Sequence, residues 1–433
     1  MSRGLQEWLA SALVGAVLLS SSLLVGCGGS GASSPASPTS STTADTSTPA
    51  AVAEAKAQST PVDPTLVTAD DSFGLSLLQT LIQENPNTNI AISPTSAAMA
   101  LQIVYNGAAG TTQTAMAQTL QLNGMGVSQL NDDNAALLAS LLSPDPQVTL
   151  TVANSLWVAL SSSPVSATFT STDQAYYGAQ IGDLAGAPAD VNAWGSAQTN
   201  GLIPQILPPD TQLTGVKAIL ANVVYFKGTW EYAFDPSQTK MAPFTLADGT
   251  QTSVNMMSQT NATFPVMFGM NLTAVALPYG QGRLSMIIVL PGPGVDFDTF
   301  VSTLNAADIQ SWVSQMVTTS SMVLSLPRFT TSFGQSLETP LTTLGMGVAF
   351  DPAAADLSGI FPGAFISKVQ HDTVVQVDET GTVAAGSTVV VTGTAVVAQP
   401  PTVEINHPFF YAIRDNQTGA LLFTGVMMNP NAG

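Results

Sequence analysis

Few residues of this 433-residue chain could serve as imidazole bases, thiol nucleophiles or soft metal ligands. The chain contains two histidines, His371 and His407, and a single cysteine, Cys27. A hydrolytic triad needs a histidine within reach of a nucleophile and a carboxylate. Neither histidine lies in a catalytic signature, no G-x-S-x-G motif occurs, and the scattered carboxylates give no zinc-ligand spacing. The sequence therefore predicts neither an enzyme nor a site for a metal or cofactor.

The segment from Glu379 to Val403 has a composition suited to a different kind of chemistry. No charged or aromatic residue occurs between Glu379 and Glu404, and Val and Thr, which favour strands, are frequent. Small residues occupy alternate positions at its start: Thr382, Ala384, Gly386 and Thr388. Because alternate residues of a strand share one face, this segment could enter between two existing strands without a clash. The pattern by itself favours a β-hairpin that turns at residues 392–394.

The neighbouring sequence indicates a more specific role. The run Glu379-Thr-Gly-Thr-Val-Ala-Ala-Gly-Ser-Thr388 resembles the hinge of inhibitory serpins, which begins their reactive-centre loop. The run Phe365-Ile-Ser-Lys-Val-Gln-His371 resembles the strand before that hinge, and residues 406–414 and 418–426 resemble the C-terminal signature of the family. The resemblance covers about residues 70–430. It implies an α+β serpin fold with a large mixed main sheet, two smaller sheets, about eight or nine helices, and an exposed reactive-centre loop at about residues 380–400.

The same resemblance implies an irreversible suicide-substrate inhibitor of serine proteases, in which the cleaved loop inserts into the main sheet. The matched hinge residues are Glu379, Gly381, Thr382, Ala384, Ala385, Gly386, Ser387 and Thr388. Counting along the loop places the reactive bond at Ala395–Val396, with Val396–Val397 and Val397–Ala398 as alternatives. These small aliphatic residues suit an elastase-like or subtilisin-like protease. The alternative is a non-inhibitory serpin that acts as a binding or structural surface protein.

Two polar groups of residues match sites beneath and beside the main sheet of serpins. The first, the family's shutter, comprises Ser93, Ser96, Asn222 and His371. The second, the breach where the loop enters the sheet, comprises Trp230, Arg328 and Glu379. Without the resemblance, His371 would be interpreted as a satisfied core histidine, and Glu379 with Arg328 as a surface ion pair.

Several segments have the patterns of the elements that would position these residues. The apolar run Ala218–Trp230 predicts a strand buried on both faces and resembles the central strand of the main sheet. Residues 148–158 predict another strand. Apolar residues from Phe73 to Leu81 recur at helical spacing, and Asp70 and Asp71 are expected to cap that helix.

The charge balance limits the classes of partner. The net charge is −19, with only nine Lys and Arg in total. This argues against binding to nucleic acid, heparin-like polyanions or anionic membrane surfaces. The resemblance to serpins implies a monomer whose partner is a target serine protease.

The N-terminus has the features of a processing segment. Arg3 precedes an apolar stretch from Leu9 to Val25, about the length of a signal peptide. The run Leu24-Val-Gly-Cys27 resembles a bacterial lipobox, in which Cys27 would receive the lipid anchor. The prediction is a signal peptide over 1–27, a disordered Ser/Thr/Ala/Pro-rich tether over 28–62, and a serpin domain over 63–433. The protein would be an exported lipoprotein at a bacterial cell surface or in the periplasm; the alternative is an ordinary signal peptide and secretion.

Overall fold

The computed structural model describes residues 61–142, 144–160, 164–380 and 399–432. Within these residues the chain forms nine α-helices. They are α1 (Pro64–Glu84), α2 (Pro94–Tyr105), α3 (Gly110–Thr119), α4 (Val127–Leu141), α5 (Ala167–Tyr177), α6 (Ala189–Gln198), α7 (Phe297–Ser302), α8 (Ala306–Gln315) and α9 (Glu338–Leu341). Among these helices, none is long and apolar enough to cross a membrane.

The same described residues form fourteen strands. They are β1 (Ile90–Ile92), β2 (Val148–Val158), β3 (Gln180–Asp183), β4 (Ala218–Gly228), β5 (Lys240–Thr245), β6 (Gln251–Phe268), β7 (Leu272–Tyr279), β8 (Leu284–Pro291), β9 (Val317–Pro327), β10 (Phe329–Ser336), β11 (Lys368–Val377), β12 (Thr402–Glu404), β13 (Phe409–Asp415) and β14 (Leu421–Met427).

Five of these strands form the main sheet, in the order β10-β11-β4-β2-β3. Strand β4 is central, antiparallel to β2 and parallel to β11. Strand β10 is antiparallel to β11, and β3 is parallel to β2. The main sheet is therefore mixed.

The sequence of β4 explains its central place, because alternate residues pack into two different hydrophobic clusters. Ile219, Ala221 and Val223 lie in a cluster with Trp194 of α6. Residues 218, 220 and 224 lie in the larger core cluster with residues of α2. A strand covered on both faces needs the near-continuous apolar run found here. The one polar side chain in its buried part, Asn222, lies on the α2 side of the sheet.

The other nine strands are connected through the long strand β6. Its first part pairs with β5 and β9, and its last residues, 266–268, pair with β7. From β7 the pairing continues through β8, β13 and β14 to β1. The two smaller sheets of the prediction are thus continuous with each other, and the predicted α+β fold class with a mixed main sheet is confirmed.

The predicted cap of the first helix was wrong. Helix α1 begins at Pro64, and the Asp63 carboxylate accepts a hydrogen bond from the Thr65 N–H, 2.7 Å away. Asp at the N-cap followed by Pro at the first helical position is a strong helix start. Asp70 and Asp71 instead lie inside the helix, and both are buried.

Candidate functional site

A histidine and a serine N–H meet beneath the centre of the main sheet. Ser93 precedes α2, and its backbone N–H donates a hydrogen bond to His371 Nε2, 3.1 Å away. His371 Nδ1 lies 2.6 Å from Asn222 Oδ1. Because Nε2 accepts a hydrogen bond, Nδ1 must carry the ring proton and donate it to Asn222. Burial lowers the pKa of His371 from 6.5 to about 4, so the imidazole is neutral.

Asn222 uses its amide nitrogen to join α2 to the neighbouring strand β2. Its Nδ2 donates to Ser96 Oγ and to Asn154 Oδ1, the latter 2.6 Å away. His371, Asn222 and Asn154 lie directly opposite one another on β11, β4 and β2. The structure thus brings all four shutter residues of the prediction together and adds Asn154, a buried polar residue of β2. We call these five residues the sheet-centre cluster.

The two strands that carry His371 and Asn222 separate beyond this cluster. Parallel pairing joins Lys368–Val374 of β11 to Ile219–Tyr225 of β4 and ends there. The last residues of β11 remain paired with β10, and the last residues of β4 with β2. Between the diverging ends lies a cavity of about 360 Å³. Its lining includes Tyr225, Trp230, Val374, Gln376, Asp378 and Thr380.

The carboxylate of Glu379 is fixed immediately after β11. Both of its oxygens accept hydrogen bonds from Arg328 Nη2, and Thr239 Oγ1 donates to Oε1 at 2.6 Å. The Glu379 side chain is only 5% exposed, whereas that of Arg328 is 47% exposed. Burial pushes the pKa of Glu379 upward, but the bonds from Thr239 and Arg328 outweigh it, and the pKa lies below its usual value. The carboxylate is therefore held ionised.

Trp230, the third breach residue of the prediction, contacts the backbone next to Glu379. Its indole Nε1–H donates to the Asp378 carbonyl at 2.9 Å, and its ring stacks on Tyr279 with centroids 4.2 Å apart. The Phe234 N–H donates to the Glu379 carbonyl at 3.0 Å. These bonds fix the point where the chain leaves the sheet. The roles of Thr239, Tyr279 and Phe234 were missed, because single apolar or hydroxyl residues in distant segments carry no local signal.

The remaining predicted site residues lie outside the described residues. These are hinge residues 381–388, the reactive-bond candidates 395–398 and Cys27. The chain is described again from Gln399, and β12 pairs in parallel with β9 through Thr402 and Val323. The two ends of the intervening segment are thus attached to different sheets. Within the described residues, no group of three or more His, Cys, Asp or Glu side chains could hold a metal ion.

Comparisons with known proteins agree on one family. The family model described as "Serpin (serine protease inhibitor)" matches residues 68–430. Serpin B9 of Homo sapiens is 32% identical over 379 residues, covering 84% of this chain and 100% of the relative. The leukocyte elastase inhibitor of Bos taurus is 33% identical over 381 residues, covering 84% and 99%. The structure of native protease nexin-1 with heparin has a TM-score of 0.76 and 26% identity, and the match covers 85% of this chain and 100% of that one.

Proposed function

This chain belongs to the serpin family, and from that premise we propose that it is an irreversible, single-use inhibitor of serine proteases. The observation that carries the proposal is the divergence of β4 and β11 directly beside Glu379. The segment that follows Glu379 begins at the end of β11, so it can enter the sheet only by turning back antiparallel to that strand. Because β4 is parallel to β11, the same segment would also be antiparallel to β4.

Insertion exchanges one set of strand pairs for two. Separating β4 from β11 breaks the pairing of seven residues, from Lys368 to Val374, and the bond between His371 and Asn222. The inserted strand would form antiparallel ladders on both of its sides. Antiparallel pairs are slightly more stable per residue than parallel ones. The native form would therefore leave these strand pairs unmade, and they would form only after the loop is cut.

The proposed reaction begins as ordinary proteolysis. The serine oxygen of the protease attacks the carbonyl carbon of Ala395, forms an ester with that residue and releases the amino group of Val396. The loop, still esterified to the protease, then inserts and carries the protease with it. The inhibitor is consumed in one event, so this chain is not itself an enzyme. Bonds 396–397 and 397–398 remain alternatives.

The target class follows from the size of the loop residues. Ala395, Val396, Val397 and Ala398 are small and aliphatic, which favours an elastase-like or subtilisin-like specificity pocket. A similar protein is named leukocyte elastase inhibitor, and this agrees with the proposal.

The decisive experiment is incubation with elastase or subtilisin followed by denaturing electrophoresis. We expect a covalent complex with the wild type, and loop cleavage without a complex for Thr382→Arg, because a buried unpaired charge opposes insertion. Val383→Arg is the matched control, since by alternation its side chain lies on the outward face and the complex should persist. Cleavage of the wild type without any complex would instead favour the non-inhibitory binding role.

We further propose that the protein is exported and anchored through lipid on Cys27. The lipobox-like run 24–27 and the polar, Pro-rich segment behind it support this. In Cys27→Ser the protein should move from the membrane fraction to the soluble fraction and retain complex formation. A wild type that is soluble and cleaved at another position would point to secretion.

Binding to heparin-like polyanions is not part of the proposal, although a similar structure contains heparin. None of the nine described helices carries Lys, Arg or His. Retention on a heparin column at low salt would contradict this expectation.

A further inference from the structure

Behind the main sheet, polar side chains from four helices meet in the protein interior. The helices α1, α2, α4 and α5 contain no Lys, Arg or His. They nevertheless bury several carboxyl groups, of which those of Asp70 and Asp173 are the most enclosed, at 1% and 0% exposed. An ionised carboxylate in such a place, without a cation, would be very costly.

The first carboxyl is paired with an amide of α2. Gln102 Nε2 donates to Asp70 Oδ1 at 2.8 Å. The second oxygen, Asp70 Oδ2, and the amide oxygen Gln102 Oε1 are both buried without a partner. Each side chain of this pair keeps one acceptor without a donor, and a single proton on Asp70 could serve both acceptors.

The second carboxyl repeats this arrangement at Asn106, which lies four residues after Gln102 and immediately follows α2. Asn106 Nδ2 donates to Asp173 Oδ1 at 2.9 Å. Again the remaining oxygen, Asp173 Oδ2, and the amide oxygen, Asn106 Oδ1, are buried without a partner. Coincidence is a poor explanation for two acid–amide pairs that each lack one donor, since buried polar groups are normally satisfied.

We propose that Asp70 and Asp173 are buried proton-binding sites, each a carboxylic acid paired with a carboxamide, and that loss of these protons in alkaline solution destabilises the helix packing behind the main sheet. In each pair the acid O–H donates to the amide oxygen while the amide N–H donates to the other carboxyl oxygen. Two protons thereby satisfy four otherwise unpartnered atoms.

The electrostatic surroundings favour the protonated form. Burial raises the pKa of Asp173 to about 8 and that of Asp70 well above its usual value. Tyr177 of α5 donates to Asn131 Oδ1 at 2.7 Å. Burial and the nearby Asp173 and Asp70 raise the pKa of Tyr177, so it remains a neutral donor.

In the part of the chain that the structure describes, the other ionisable groups on these helices and on neighbouring elements give neither acid a cationic partner. On the four helices they are Asp71, Glu84, Tyr105, Asp132, Asp133 and Tyr176. Asp71 accepts from the Leu421 N–H at 2.9 Å and lies near Arg414 of β13. Arg283 binds Ser140 of α4 and Asp415.

The test compares the wild type with Asp70→Asn and Asp173→Asn in urea unfolding between about pH 4 and pH 9. Asparagine carries an N–H where the acid would carry its O–H, so each variant resembles the protonated state at every pH. The folded acid holds a proton that the unfolded chain loses above its ordinary pKa of 3.8. The unfolding equilibrium constant of the wild type should therefore rise relative to each variant by roughly tenfold per pH unit in the window up to the folded pKa.

Asp210→Asn is the matched control, because it makes the same substitution in an exposed turn, outside both acid–amide pairs, and should not reproduce the rise expected for the two buried sites. For the two buried sites, the ratio of the wild-type to the variant unfolding equilibrium constant should rise with pH. A ratio that falls or stays constant would overturn the proposal. Stabilisation of the wild type, but not the variants, by Na⁺ or Ca²⁺ at about pH 9 would also overturn it, since the acids would then be ionised cation ligands.

A measurement on the wild type keeps the proposal testable if a variant fails to fold. Infrared spectra at pH 7 should contain the C=O band of buried protonated carboxyl groups, and unfolding at that pH should release protons to the solvent. His371 takes up less than one proton in the opposite direction, since its pKa is lowered in the folded state. Absence of both the band and the proton release at pH 7 would overturn the proposal.

Discussion

Asn222 and His371 face each other across the parallel pair β4–β11 and are joined by a 2.6 Å hydrogen bond from Nδ1–H to Oδ1. Each also binds the chain around α2, since Asn222 donates to Ser96 Oγ and His371 accepts from the Ser93 N–H. The two residues whose side chains join β4 to β11 thus also attach the main sheet to the chain around α2. Any strand that entered between β4 and β11 would have to break it.

Replacing Asn222 should weaken the native sheet substantially. Asn222→Ala removes the partners of His371 Nδ1 and Asn154 Oδ1, and each buried group left unsatisfied costs about 1–3 kcal/mol. We expect a lower unfolding midpoint and polymers at a lower temperature than for the wild type. Gln310→Ala, which removes an exposed amide on α8, is the control. An unchanged midpoint would show that the cluster does not hold the sheet closed.

Acid should weaken the sheet through His371. Its pKa is about 4 in the folded protein and 6.5 when unperturbed, so the unfolded chain binds the proton more tightly. The stability contributed by neutral His371 is present above about pH 6.5 and is lost as the pH falls toward 4. The full effect is roughly 3 kcal/mol, from about 1.36 kcal/mol per pKa unit.

The measurement is the difference in unfolding free energy between the wild type and His371→Gln across this pH window. Taking the difference removes the opposite contribution of Asp70 and Asp173. A difference that is constant with pH would mean that His371 has an ordinary pKa in the folded state.

Removing Arg328 should loosen the start of the loop. In Arg328→Ala the buried Glu379 carboxylate keeps only Thr239 as a side-chain partner, at a local cost of about 1–3 kcal/mol. Amide hydrogen exchange at residues 378–380 should become faster, while that of the paired part of β11 should not change. Lys227→Ala, which removes an exposed cation at the end of β4, should leave both unchanged. Equal exchange in the wild type and Arg328→Ala would show that this ion pair does not fix the hinge.

Cutting the loop should stabilise the protein if the proposed inhibitory mechanism is correct. A cut within residues 392–398 would release a strand of about a dozen residues, and each added ladder hydrogen bond contributes about 0.5–1.5 kcal/mol net. Ordering each residue costs about 1–2 kcal/mol, so the gain depends on a sheet already shaped to accept the strand. The thermal unfolding midpoint, measured with the fragments left together, should rise after cleavage.

The matched comparison is the cleaved Thr382→Arg variant, in which the midpoint should stay the same or fall. Heating the uncut wild type should also give polymers, since the same Val-rich segment can pair with a neighbouring molecule. A lower midpoint in the cleaved wild type would favour the non-inhibitory role.

The sequence by itself determined the fold class and the central strand. The run Ala218–Phe226 is apolar at almost every position, and this pattern is typical of a strand covered on both faces. The order of the motifs from residue 70 to residue 430 indicated the resemblance to the serpin family. These signals are local, so they can be interpreted without knowing what lies opposite each residue. Apolar residues at helical spacing run from Phe73, which points to Asp70 and Asp71 as caps, whereas Asp63 and Pro64 are the stronger start signal for α1.

Only the tertiary structure decided which further polar residues meet, beyond those that the family resemblance had already grouped. Asn222 and Asn154 are 68 residues apart in the chain, Glu379 and Thr239 are 140 apart, and Asp173 and Asn106 are 67 apart. None of these pairs has a spacing that marks it, because strand register and helix packing create the contact after the chain is folded. The protonation of a buried carboxyl depends on the same contacts. An aspartate in the sequence is an ionised surface group by default, and the folded environment makes Asp70 and Asp173 exceptions.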